Sequence, residues 1–67
     1  MNDLPNIGTL WTSERHGLIV ITNIVPLANT NLDEWLYTFH VCRLKDSFNT
    51  TGIFSAADWH KRFTHVA

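Results

Sequence analysis

The run LIVITNIV, residues 18–25, is dense in β-branched side chains and apolar at odd and even positions alike, a pattern that favours a strand with two apolar faces. By simple alternation Leu18, Val20 and Ile24 fall on one side, and Ile19, Ile21 and Val25 on the other. EWLYTFHVCRL, residues 34–44, repeats the pattern. Trp35, Tyr37, Phe39 and Val41 project one way, with Arg43 and Lys45 continuing the row, whereas Leu36, Thr38, His40, Cys42 and Leu44 project the other. A chain of 67 residues makes one domain, here residues 1–67, with a single interior. A domain of that size buries only about 60% of the surface its unfolded form exposes. One apolar face therefore calls for cover from outside the domain.

Shorter elements punctuate the sequence around these two strands. Residues 4–8 form an extended lead-in with a bend at Gly8, and the alternating Thr9-Leu10-Trp11-Thr12 reads as a first strand. Residues 13–17 are a polar turn ending in Gly17. Pro26 has no amide to donate to a ladder, which predicts that the second strand ends near Val25. Residues 28–33 and 45–52 read as loops, leaving Ile53 and Phe54 as a very short fourth strand.

In GIFSAADWHKRF, residues 52–63, Ser55 has the character of a helix N-cap and Asp58 completes a capping-box-like pair. Phe54 and Trp59 occupy the two positions of a hydrophobic staple, and Trp59 and Phe63 share one helical face. Lys61 and Arg62 suit the C-terminal end of a single helical turn, after which residues 64–66 return to β structure. Such a succession of strands avoids exposed edges by curling into a small barrel, so the expected fold is all-β, with five strands and one short helical turn before the last.

Arranged as PNIGTLW, GLIVITNIV, WLYTFHV and GIFSAADWHKRFTHV, the chain resembles the SH3-like barrels, in which a turn of helix separates the last two strands. It is similar in particular to small bacterial and phage proteins of that type. Type II dihydrofolate reductase, a tetramer of short SH3-like chains, carries a Val-Gln-Ile-Tyr run where Thr51-Gly52-Ile53-Phe54 stand here. The glutamine and tyrosine are missing, so that likeness implies no activity.

Chemistry is sparsely represented. His40, Cys42, His60 and His65 are zinc-ligand types, but without the paired close spacings of a structural site, and neither metal nor cofactor is expected. Cys42 beside His40 lacks an evident third group to orient a base, and a barrel this small offers little cleft, so no enzyme is expected either. Cys42 is the single cysteine, which excludes an internal disulfide and fits a reducing compartment. Residues 1–10 lack the charged start and apolar run of a secretory signal, and GLIVI at residues 17–21 is far too short to cross a bilayer. The expectation is a soluble cytoplasmic protein, in the host cytoplasm if phage-encoded. The sequon Asn49-Thr50-Thr51 then goes unglycosylated.

Net charge is −1 and the cations Arg15, Arg43, Lys45, Lys61 and Arg62 are dispersed along the chain, which disfavours a duplex-binding role. The reading that remains is a non-catalytic protein-binding module. On the phage-type resemblance, it is expected to be a factor that binds and inhibits a host protein. Interface hot spots favour tryptophan, tyrosine and arginine, so the expected contact residues are Trp11, Glu14, Arg15, Trp35, Tyr37 and Arg43. A homo-oligomeric structural protein and a weak single-stranded nucleic-acid binder are the alternatives.

Overall fold

The computed structural model describes residues 3–29 and 34–67. Among them the chain forms β1 (Leu10–Ser13), β2 (Gly17–Asn29), β3 (Trp35–Arg43), β4 (Phe48–Ser55), α1 (Ala56–Arg62) and β5 (Thr64–His65). The five strands make one antiparallel sheet in the order β4-β3-β2-β1-β5. No helix among the described residues is long and apolar enough to cross a membrane.

The β1–β2 turn places three residues between Ser13 and Gly17, and Gly17 takes a φ of 71°, the left-handed conformation that a bulged three-residue hairpin needs. The Ser13 hydroxyl accepts the His16 amide at 3.0 Å and fixes the turn further. At the same end of the sheet, the β3–β4 turn puts Ser47 at φ 57°. Asp46 braces that turn by accepting the Phe48 amide at 3.1 Å and the Arg43 guanidinium at 2.7 and 3.0 Å.

The expected helical turn is present and extends to seven residues. Ser55 is its N-cap and accepts the Asp58 amide at 3.1 Å, while Phe54 and Trp59 meet edge to face at 5.7 Å as the staple requires. Replacing Ser55 with alanine is expected to lower stability by about 0.5–2 kcal/mol in urea denaturation, since the hydroxyl is buried and has no water to replace the amide it holds.

α1 lies on one face of the sheet, and the core forms between them. Trp11, Ile19, Ile21, Phe39, Val41, Trp59 and Phe63 are buried, with Ile24, Tyr37 and Phe54 packed at the margin. Trp59 is its centre: the indole stacks on Phe39 at 4.4 Å and on Phe63 at 3.9 Å, and meets Trp11 edge to face at 5.7 Å. Gly52, opposite Phe39, leaves room for the Phe54 ring, which a β-carbon there would meet at 2.6 Å.

The structure corrects the sequence reading at four places. The sheet does not close into a barrel: β4 and β5 are its two edges, β5 has only two residues, and α1 with Trp59 and Phe63 occupies the core face between them. β2 continues past Pro26 to Asn29, because Pro26 stands at a register irregularity between Pro26 and Ala28 where a missing amide is tolerated. β4 begins at Phe48, so much of the expected loop is strand paired to β3. A β-bulge between Ile21 and Asn23 inserts one residue and reverses the alternation of β2, which brings Ile24 inside opposite Phe39 and turns Val25 outward opposite Thr38.

Candidate functional site

Two surfaces stand out, one on each side of the sheet. The first is the open seam where β4 fails to meet the rest of the fold. Ser13, Glu14, Arg15 and His16 from the β1–β2 turn, Thr51 and Phe54 from β4, and Lys61, Arg62 and Phe63 from the end of α1 enclose a groove of about 600 Å³. A smaller cavity of about 60 Å³ lies against Thr50, Thr51, Gly52, Phe54, Trp59 and Phe63. The groove is built on aromatic packing: His16 stacks on Phe63 at 5.8 Å, and the Arg62 guanidinium stands 5.9 Å from the centre of the Phe54 ring. Trp59, which borders the small cavity and not the groove, has a buried indole N–H without a hydrogen-bond partner.

The second surface is the sheet face turned away from α1. Cross-strand register places Leu10, Val20 and Cys42 in one row, with Leu18 and Leu44 beside it. Val25, Thr38 and Ile53 form another row. Leu18, Val25, Leu44 and Ile53 are exposed, Ile53 to 58% of its surface. Between the two apolar rows the bulge creates a polar band, where the Thr22 hydroxyl donates to the His40 carbonyl at 3.0 Å and Thr22, His40, Asn49 and Thr51 border a shallow concavity.

The residues expected to make contacts do not form one patch. Trp11, expected to be exposed, is only 4% exposed; its ring packs on Trp59 and its Nε1 donates to the Thr9 hydroxyl at 2.8 Å, so its role is in the core. Tyr37 is half-buried against Phe39. Trp35 is 47% exposed at the far end of the β2–β3 ribbon. Arg43 is engaged by Asp46, whose carboxyl that hydrogen bond holds below its usual range, while the guanidinium is raised in turn. Glu14 and Arg15 do line the groove. Sequence reasoning missed Lys61 and Arg62 as their neighbours, because pairing of β5 with β1 is what brings the end of α1 to the first turn.

The zinc-ligand types are divided as well. His60 and His65 lie against the Trp11 ring at 5.4 and 4.6 Å on the α1 side, whereas His40 and Cys42 belong to the opposite face. Among the described residues no group of three or more histidines, cysteines or carboxylates could hold a metal ion. No family model, no curated protein and no solved structure matches the chain.

Proposed function

We propose that the protein is a non-catalytic binding module whose partner is another protein. The observation that carries this reading is the sheet face opposite α1, where Leu18, Val25, Leu44 and Ile53 stay exposed around a polar band. A mixture of apolar contact area and satisfiable polar groups is what protein interfaces are made of. The strand order, with β5 paired to β1 and a helix before it, supports describing the fold as an open relative of the SH3-like barrels. On that likeness we extend the proposal to a phage-encoded factor that binds a host protein and inhibits it in the host cytoplasm.

Capture from bacterial lysate, with and without nuclease and read by mass spectrometry, tests the proposal. Recovery of one protein in stoichiometric amount, insensitive to nuclease and lost when Leu44 and Ile53 are both changed to lysine, is the expected result. Both side chains are exposed, so the double variant should keep its thermal transition within the roughly 0.5 kcal/mol typical of surface substitutions. Recovery of the chain alone, with a solution mass well above 7.7 kDa, would favour self-association through the same face. Nuclease-sensitive recovery would move the reading to nucleic acid.

A further inference from the structure

β4 ends the sheet, and its residues Phe48–Ser55 include neither a charged side chain nor a proline, the usual protections of an edge strand. Thr50, Thr51 and Gly52 are consecutive, so their side-chain positions alternate between faces, yet all three border the small cavity at the seam. That cavity also touches Phe39 and Val41 on the core face, whereas the larger groove is lined by both Thr51 and Phe54, from opposite faces of β4, and so reaches the strand's edge. Across the groove stand Arg15, Lys61 and Arg62, three of the chain's five lysines and arginines, with Glu14 as the one carboxylate among the groove-lining residues.

We propose that this groove takes an extended acidic segment of another protein, which adds to the edge of β4 as a further strand and directs its carboxylates toward Arg15, Lys61 and Arg62. Main-chain hydrogen bonds to a free edge supply affinity in such additions, and side chains on the neighbouring wall choose the partner. Here that wall is cationic, on a protein whose overall charge is −1, so the selection is for negative charge at this spot. The groove volume of about 600 Å³ lies within the roughly 300–1,000 Å³ common for ligand sites. A single nucleic-acid strand fits less well. Its bases need open aromatic faces, whereas Trp59 and Phe63 are buried and Phe63 already has His16 stacked on it. The seam and the face opposite α1 meet at Thr51, so Leu44, away from the groove, is the position that separates the peptide result below from the lysate result.

The test uses the full chain and fluorescein-labelled eight-residue peptides in which valine alternates with glutamate, glutamine or lysine, together with a labelled oligothymidylate, all followed by fluorescence anisotropy. The glutamate peptide is expected to bind at least about tenfold more tightly than the glutamine peptide, with the lysine peptide weakest and the preference shrinking as salt rises. Amide NMR shifts should concentrate in residues 49–54. Arg15→Glu combined with Lys61→Glu changes only exposed side chains and should reverse the order of the glutamate and lysine peptides. Leu44→Lys, on the other face, should leave the order unchanged. The proposal is overturned if the three peptides bind alike or not at all, if the shifts map to Leu10, Leu18, Val20, Cys42 and Leu44 instead of β4, or if oligothymidylate binds more tightly than the glutamate peptide. Concentration-dependent protection of the β4 amides without peptide, which would mean a second copy of the chain on this edge, also overturns it.

Discussion

Trp59→Ala is expected to lose about 3–5 kcal/mol of stability, the range for truncating a buried aromatic side chain. Domains hold roughly 0.05–0.15 kcal/mol per residue, or about 3–10 kcal/mol for a chain of this length. The variant should therefore be largely unfolded at 25 °C, or melt at a temperature far below the parent, when followed by circular dichroism. The expectation is large because one side chain supports so much: removing the indole deprives Phe39 and Phe63 of their stacking partner and Trp11 and Phe54 of an edge contact. Trp59→Phe should be far milder, since it keeps an aromatic ring in the stack and removes a buried indole N–H that has no partner. A near-parental melting curve for the alanine variant would mean that the stack does not hold the fold together.

Deleting Thr22 is expected to be mild by contrast, because it removes the bulge without moving the core side chains. Thr22 is the extra residue between Ile21 and Ile24, which both face inward, opposite Val41 and Phe39. Without it, Ile21, Asn23 and Ile24 would follow in regular alternation opposite Val41, His40 and Phe39 as before, so Ile19, Ile21 and Ile24 would stay on the core face. The deletion should keep a cooperative thermal transition, with a loss inside the range of about 0.5–3 kcal/mol common for single changes. Thr22→Ala keeps the residue count and loses only an exposed hydrogen bond to the His40 carbonyl, so its cost should stay within about 1 kcal/mol. Loss of the cooperative transition on deletion would mean that Thr22 is not the extra residue of the strand.

Features carried by neighbouring residues were legible in the sequence. The Ser55 cap and the Phe54–Trp59 staple depend on short spacings and are found as expected, and Tyr37, Phe39 and Val41 share one face as alternation requires, although which face turns inward was not legible. The features that escaped reading depend on distant partners. Residues 49–52, Asn-Thr-Thr-Gly, have loop composition and become strand only because β3 offers a ladder to pair with. The bulge had a visible cue in the polar pair Thr22-Asn23 interrupting an apolar run, but a strict alternation rule passes over it. Trp11 was assigned to the surface because a short first strand says nothing about what will cover it; α1 and β5, from the far end of the chain, supply the cover. The groove was illegible for the same reason, since Arg15 is remote in sequence from Lys61 and Arg62.

The pairing of the last strand with the first also constrains the order in which the molecule can assemble. Trp11 faces His65 across the ladder, and the Leu10 amide donates to the Ala67 carbonyl at 2.7 Å, so the two ends of the described chain complete one another. The rings around Trp59 likewise come from β1, β3, β4 and the segment that follows them. A ribosome extending this chain would release β1, β2 and β3 well before the residues that cover them. The emerging polypeptide would then expose Trp11 and Phe39 until the final turn of helix arrived. Folding is thereby deferred until α1 and β5 have been made, and non-local closure of this kind belongs to the slower class of small domains.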